Sequence, residues 1–360
     1  MKEEACIGCA GLLLEGVNMN KERLQNMQSL FAVSGEEERM KELFRNEFQK
    51  NGFIIAQDRL SSVFGIHQSA HTPAYTVMVS SPLDRLGLMI SAVHADGTLG
   101  FLPLEAMHPA SLLHQRVQIL TRAYTLIEGV ICDYAHRYTE SYEHAVTELC
   151  IDTGRTYEEI DAVVTVGDLA CIPADIVWPD DHHISGASLY PTVLNEVVLE
   201  AAEELGKEEL PFTLALGGIG QSQIGYRGTK TITHVLQPDV AIVLTGFDGR
   251  FSNDGKKSGV LVGAFDKGMI PNRRLYQDVV SILHPGVITC MHTNDGSFIH
   301  KTQKGAAAVS MGLLIRNMGT AVELVDVRDI EALKDALCMY LRTLTVEKIE
   351  QFTFGRKNEN

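Results

Sequence analysis

The feature that most constrains the fold of this chain is an alternation of strand and helix patterns along its second half. Compact β-branched runs bounded by turn residues indicate strands that are buried on both faces. Amphipathic segments separate these runs, and this order is typical of a sheet covered by helices on both sides. The sequence therefore predicts an α/β domain. The strand patterns lie at 212–216, 240–245, 287–291 and 307–315, and the helical patterns lie at 192–205, before 236, at 272–282 and at 329–345.

A segment with a different sequence pattern interrupts this domain between about residues 88 and 173. Short β-type runs alternate there with turns and show little helical periodicity, which favours a small all-β unit. We therefore predict a discontinuous α/β domain at 20–89 and 173–350, a β-rich insertion at 90–172, and an extra segment at 1–19. The short runs lie at 88–93, 99–103, 116–120 and 126–132.

The first part of the chain predicts two helices within residues 20–50, separated by a turn at Ser34-Gly35. Ser34 and Glu37 have the spacing of a capping box, so we expect them to begin the second helix. Two short strands around a polar turn follow at 53–55 and 63–66, and a buried strand follows at 75–80.

The charge and the cysteines limit the partners and the compartment. Lys and Arg number 31 and Asp and Glu number 46, which gives the 360-residue chain a formal net charge of −15. Nucleic acid and anionic membranes need a basic surface, so we expect neither as a partner. The seven cysteines are odd in number and irregularly spaced, which favours a cytoplasmic protein over a disulfide scaffold. Cys6 and Cys9 have the spacing of half a redox or zinc site, and no second pair follows.

Three local motifs contain residues that could bind a cofactor or a metal or take part in catalysis, but none of them identifies a reaction. Gly217, Gly218 and Gly220 depart from the spacing of a dinucleotide fingerprint, so we interpret them as a turn that needs positive φ. The run Asp180-Asp181-His182-His183 holds four potential metal ligands, although adjacent residues rarely converge on one ion. His292 follows a predicted strand, where α/β proteins often place functional residues.

The order and spacing of several weak motifs are together specific. They include Ala32-Val33-Ser34-Gly35-Glu36, Ile151-Asp152-Thr153-Gly154 with Gly167-Asp168, and two gap-free blocks at 221–245 and 293–323. In these motifs the chain resembles the glutamyl and tetrahedral aminopeptidase family, whose members are dinuclear-zinc peptidases. The resemblance implies a zinc-aminopeptidase-like three-layer α/β/α domain with an inserted small β-barrel dimerisation domain. It also implies self-association as a homodimer or a larger assembly such as a dodecamer.

The family binds two zinc or cobalt ions through five side chains and uses a Glu as general base. The resemblance places the base at Ser222. None of the aligned residues is an acid or a histidine, so we expect no bound metal and no other cofactor. The five aligned ligand positions are Pro82, Tyr190, Gln223, Thr245 and Gly319.

Three readings of the function remain open at this point. The first is a non-catalytic homologue that keeps the fold. The second is an active metallo-aminopeptidase with a relocated or unusual metal site that uses His182, His183 or His292. The third is a different hydrolase or a binding module on the same scaffold, since a fold does not fix a function.

By resemblance, the substrate cleft lies at the carboxyl ends of the strands. Arg85 stands where the family has an acid, so we hypothesise a small anionic ligand or a peptide carboxylate as the partner of this cleft. The residues expected to line it are Asp84, Arg85, Tyr190, Gln223, Thr245, Asp295 and His300.

Overall fold

The structure is a computed structural model that describes residues 19–71, 74–105, 107, 109–133, 148–249, 259–289 and 292–353. Its strands are β1 (Ile54–Gln57), β2 (Val63–His67), β3 (Thr76–Pro82), β4 (Leu88–Val93), β5 (Leu99–Pro103), β6 (Arg116–Leu120), β7 (Leu126–Asp133), β8 (Leu149–Asp152), β9 (Leu169–Cys171), β10 (His183–Gly186), β11 (Thr213–Ile219), β12 (Val240–Asp248), β13 (Leu261–Phe265), β14 (Gly286–Thr289), β15 (Ala307–Ile315) and β16 (Glu323–Asp326). Its helices are α1 (Lys21–Ser29), α2 (Glu38–Lys50), α3 (Pro109–Leu112), α4 (Tyr157–Asp161), α5 (Leu189–Leu205), α6 (Arg227–Leu236), α7 (Arg273–Leu283), α8 (Gly296–Ile299), α9 (Val327–Thr343) and α10 (Val346–Phe352).

Eight strands form one mixed sheet in the order β1-β2-β11-β3-β12-β15-β13-β14. The four central strands β11, β3, β12 and β15 are parallel to one another. The strands on either side of this centre, β2 and β13, run antiparallel to it. The central strands therefore end at a common edge, where residues from several of them meet.

Alternate residues of the central strands enter two separate cores. In β3, Val77 and Val79 pack on one face of the sheet and Met78 packs on the other. The first core holds side chains of α1, α2, α5, α7 and α9, and the second holds Ile232 of α6 and Ile299 of α8. Each fully buried aliphatic side chain stabilises the fold by about 1.5–3 kcal/mol. Helices thus cover both faces of the sheet, as the sequence predicts.

The six strands β4 to β9 close into a barrel in the order β4-β5-β8-β7-β6-β9. Closure pairs every strand on both sides and leaves no open edge. The barrel encloses its own apolar core, which includes Ile90, Ile119 and Ile131. The predicted fold class, a three-layer α/β domain with an inserted small barrel, is confirmed. The boundaries assigned to the insertion, 90–172, remain a prediction.

The structure corrects the capping box. Helix α2 begins at Glu38, and its N-cap residue Glu37 makes no side-chain cap hydrogen bond. The Ser34 hydroxyl donates instead to Asp84, and the Glu37 carboxylate accepts from the backbone of Gly35 and of Gln221. Both side chains therefore serve long-range contacts, which spacing alone does not reveal.

The glycine-rich stretch is also corrected, since Gly217 and Gly218 lie within β11 and neither they nor Gly220 has positive φ. The need for glycine here is close approach. A Cβ on Gly217 would lie 2.2 Å from the carbonyl oxygen of Val63, and one on Gly220 would lie 2.3 Å from that of Leu60. Both distances are far below van der Waals contact.

One helix begins earlier than the sequence predicts. Helix α5 begins at Leu189 and not at 192, because Pro191 falls in the first turn, where a missing N–H costs nothing.

Cys6 and Cys9 lie outside the described residues, as does the predicted segment 1–19 except for Met19. Among the helices of the described ranges, none is long and apolar enough to span a bilayer.

Candidate functional site

Buried carboxylates hold the backbone at the carboxyl edge of the central sheet. Asp84, in the turn after β3, is fully buried and accepts three hydrogen bonds. Its Oδ1 accepts from the backbone N–H of Ser222 at 2.9 Å, and its Oδ2 accepts from the N–H of Gln223 at 3.0 Å and from the Ser34 hydroxyl at 2.5 Å. The loop after β11 is therefore fixed by its backbone, whatever its side chains are.

A second carboxylate completes this support. Glu37 Oε1 accepts from the backbone N–H of Gln221 at 3.0 Å, so three successive amides of the loop bind two carboxylates. Burial raises the pKa of Asp84 to about 8, and the nearby charge of Glu37 adds to the increase. Burial also raises the pKa of Glu37. Desolvation disfavours the charged form of both acids, and their hydrogen bonds offset it only in part.

Tyr190 links the positions that the resemblance assigns to metal ligands. The side-chain amide of Gln223 donates to the Tyr190 hydroxyl. A Cβ on Gly246, next to Thr245, would lie 3.2 Å from the Tyr190 ring. Burial raises the pKa of Tyr190 well above that of an ordinary phenol, so this side chain is neutral at physiological pH.

Glu323 ties Tyr190 to Gly319. Its Oε2 accepts from the backbone N–H of Tyr190 at 2.9 Å, and its Oε1 accepts from that of Gly319 at 2.8 Å. Glu323 is fully buried, and burial raises its pKa to about 7. Gly319 itself adopts φ 78°, a left-handed conformation that glycine adopts readily.

Ser222, which the resemblance aligns with the family's general base, is engaged by an acid. Its hydroxyl donates to Asp295 Oδ2 at 2.6 Å, and the Thr229 hydroxyl donates to the other oxygen of that carboxylate. Asp295 is buried, and burial raises its pKa. The Ser222 oxygen therefore lies in a closed hydrogen-bond chain with Asp295 and Thr229.

As a donor set for two metal ions, these residues do not fit. Pro82 and Gly319 carry no donor atom, and Gln223, Thr245 and neutral Tyr190 offer only uncharged oxygens. Such a set cannot offset the charge of two divalent cations in a buried site. Across the part of the chain that the structure describes, no group of three or more His, Cys, Asp or Glu side chains has a geometry suited to a metal ion.

The structure corrects the expected role of Arg85. This side chain is buried, and its guanidinium donates to backbone carbonyls of Gln28 at 2.7 Å, Ala187 at 2.9 Å and Leu30 at 3.3 Å. A guanidinium held by three carbonyls is not available to a ligand in the cleft. The two terminal nitrogens of Arg85 are therefore bound to the protein, and an anionic ligand or a peptide carboxylate in the cleft stays a prediction that this placement does not support.

His300 is likewise not at the carboxyl edge. It lines a cavity of about 280 Å³ with Asp239 and Ala307, which lie at the opposite, amino ends of β12 and β15. Its Nδ1 lies 2.7 Å from the carbonyl oxygen of Gly296, to which it donates. Of the predicted cleft residues, the structure groups Asp84, Tyr190 and Gln223, with Asp295 joined through Ser222. Thr245 lies on the opposite face of β12 from Gly246, whose Cβ direction meets the Tyr190 ring.

The histidines of the relocated-site alternative do not converge. His183 is the first residue of β10, and its Nδ1 lies 2.8 Å from Asp180 of the preceding turn. His182 is exposed beside it, and His292 is exposed in the segment that precedes α8. Glu37 and Glu323 are the site residues that the sequence prediction misses. Each binds backbone amides of a distant segment, and no local pattern marks such a contact.

Comparison with known proteins agrees with the architecture. The family profile of the M42 glutamyl aminopeptidases matches residues 62–335. A glutamyl aminopeptidase of Lactococcus lactis subsp. cremoris is 22% identical, over 92% of this chain and 98% of that protein. The structure of aminopeptidase APDkam598 from the archaeon Desulfurococcus kamchatkensis superposes with a TM-score of 0.85 at 25% identity, over 92% of this chain and 96% of that one.

A third similar protein is the TET1 peptidase of Pyrococcus horikoshii. Its structure gives a TM-score of 0.80 at 20% identity and covers 90% of this chain and 99% of that chain. The TET1 peptidase can assemble into a tetrahedron or a large octahedral shell. At this identity the likeness establishes the shared fold.

Proposed function

Because the chain belongs to the M42 glutamyl aminopeptidase family, we propose that it is a non-catalytic member that keeps the family fold without the dinuclear metal chemistry. The observation that carries the proposal is the direct hydrogen bond between Gln223 and Tyr190. Two neutral side chains satisfy each other at positions where the family places charged metal ligands. This pairing supports a site that is complete without cations.

The residues that remain do not supply a substitute mechanism. In the family, the metals polarise a carbonyl and generate hydroxide at neutral pH, and a Glu moves the proton. Here the Ser222 hydroxyl donates to Asp295, and within the described ranges no imidazole hydrogen-bonds to it. A serine needs an adjacent base to act as a nucleophile. Both oxygens of Asp295 already accept hydrogen bonds, one from Ser222 and one from Thr229, so this carboxyl belongs to a closed chain rather than to a serine–histidine pair.

The test is an assay of the purified protein on aminoacyl and peptide substrates with added zinc, cobalt or manganese. We expect turnover at background, because loss of the metals removes the nucleophile and loss of the base falls on the same step. A matched control restores all six positions at once: Pro82→His, Tyr190→Asp, Ser222→Glu, Gln223→Glu, Thr245→Asp and Gly319→His. Metal-dependent turnover by the unmodified chain contradicts the proposal and favours an unusual metal site.

We also propose that the chain self-associates, at least as a homodimer, with the barrel in the contact. The barrel exposes large apolar side chains, and exposed apolar patches are typical of interaction surfaces. They include Leu102, Tyr124, Leu126 and Val130. The assembly of the similar TET1 peptidase supports this proposal. Light scattering at micromolar concentration tests it, and a monomeric mass contradicts it.

A further inference from the structure

Two cysteine side chains face each other across neighbouring barrel strands. Cys132 of β7 and Cys150 of β8 are direct partners in the antiparallel register. Their sulfur atoms lie 3.3 Å apart. Direct antiparallel partners have Cα separations of about 4.5–5.5 Å, which falls within the ~4.4–6.8 Å range of disulfide-bonded cysteines. A disulfide therefore needs only a small rotation of the side chains and no movement of the backbone.

The two remaining cysteines of the described ranges differ from this pair. Cys171 and Cys338 are both buried and free, and neither has a sulfur atom as a contact. Cys132 is only half-buried, whereas Cys150 is buried behind it. The pair thus combines one thiol that a small reagent reaches with a second thiol in place to resolve the product.

We propose that Cys132 and Cys150 form a reversible dithiol–disulfide site in the barrel, oxidised by a low-molecular-weight disulfide. The Cys132 thiolate attacks one sulfur of the reagent and releases one reagent thiolate, which leaves a mixed disulfide. The Cys150 thiolate then attacks the Cys132 sulfur and releases the second reagent thiolate. The two cysteine thiols lose two electrons and two protons, and the reagent disulfide becomes two thiols.

Carboxylates around the pair decide which reagent it accepts. Burial raises the pKa of Cys132, and the charges of Asp152, Asp133 and Asp96 add to the increase. Burial also raises the pKa of Cys150 to about 12. Only the thiolate is a nucleophile, so exchange is slow at neutral pH and accelerates as the pH increases. The same negative charges favour a cationic disulfide over an anionic one, and salt weakens that preference.

Oxidation has a structural consequence for the barrel. The bond joins both ends of the segment from Asp133 to Leu149, since these residues lie directly inside the pair. Closing a loop in the unfolded chain removes conformational entropy from that state. The oxidised barrel is therefore more stable, and its β7–β8 pairing resists opening. Reduction by a monothiol in excess restores the starting state.

The experiment treats the full-length protein with cystamine or with oxidised glutathione over a range of pH, and maps the products by peptide mass spectrometry. We expect a disulfide between Cys132 and Cys150, its reversal by dithiothreitol, and an increase of several degrees in the melting temperature. Cystamine should react faster than oxidised glutathione at low salt, with the difference shrinking at high salt. Raising the pH from 7 to 9 should accelerate both reactions.

Matched variants separate the pair from the other thiols. In Cys132→Ser the barrel disulfide and the thermal shift are lost, whereas in Cys171→Ser both persist. In Cys150→Ser the reaction stops at the mixed disulfide on Cys132, because no second thiol is in place to release the reagent. If the wild-type protein keeps both thiols free, or retains the reagent on Cys132 without resolution, the proposal is wrong.

Discussion

The carboxylates that hold the backbone of the candidate site differ in character from the side chains that the resemblance aligns with the family's metal ligands. Asp84, Glu37 and Glu323 are buried acids whose oxygens accept from backbone amides. The ligand positions carry no acid, and Tyr190 and Gln223 there satisfy each other. A carboxylate bound to backbone amides is required for the fold, whereas one that binds an ion has no role once the ion is gone. We call Asp84, Glu37 and Glu323 the frame of the site and the residues at the aligned ligand positions its lining. The two sets are therefore under different physical constraints.

The largest expected effect is on the frame. Asp84→Ala leaves the amides of Ser222 and Gln223 and the Ser34 hydroxyl without an acceptor. Each buried unsatisfied donor costs about 1–3 kcal/mol, so we expect the three to lower the free energy of unfolding by at least about 3 kcal/mol. Denaturant unfolding measures it. The matched lining variant is Thr245→Ala, which removes a long hydrogen bond of 3.4 Å to the carbonyl oxygen of Gly246 and should cost less than about 1 kcal/mol. Equal losses in the two variants contradict the distinction.

A smaller effect is expected when acids are returned to the lining without a cation. Ser222→Glu with Gln223→Glu places two carboxylates in buried positions beside Asp84 and Asp295. Repulsion and burial raise their pKa values, so we expect a loss of about 3 kcal/mol at pH 8, a smaller loss at pH 5, and no activity. Unfolding at the two pH values, with a peptidase assay, measures this. Activity on addition of zinc shows that the frame still assembles a metal site.

The titration of Asp84 gives a third effect, which is spread over about four pH units and is small at any single step of pH. The pKa of Asp84 is raised from 3.8 to about 8 in the folded protein, so the folded state binds a proton that the unfolded state has lost. Its contribution to stability is present below pH 4 and is lost as the pH increases through about 8, with a slope of at most about 1.4 kcal/mol per pH unit. Asp84→Asn removes this contribution. Stability profiles of the two proteins that run parallel from pH 4 to 8 contradict the assignment.

The sequence predicts the fold better than the site for a physical reason. The continuous apolar run Val77-Met78-Val79 in β3 indicates a strand buried on both faces of the sheet, so this central strand can be predicted from its local sequence. The short strand β10 and its partner β16 contain no such apolar run, and the sequence predicts neither of them. The contact of Glu37 with Gln221 joins residues far apart in the chain, and its only local signal, the spacing to Ser34, suggests a cap that does not form.

The placement of Arg85 and His300 fails for a similar reason. Position relative to a motif predicts which strand end a residue follows, but not where its side chain points. Arg85 lies beside Asp84, yet its guanidinium turns to carbonyls of Gln28 and Ala187. His300 follows Asp295 by one helical turn, which carries it toward the amino ends of the strands.

The metal content of the protein tests whether the site is complete without cations. It is measured on protein purified from medium supplemented with zinc and cobalt, together with the melting temperature before and after treatment with a chelator. We expect far less than one transition-metal ion per chain and a melting temperature that the chelator changes by less than about 1 °C, because a fold that binds no metal loses no stability when metal is removed. Stoichiometric metal, together with a clear decrease in the melting temperature on its removal, would contradict the account.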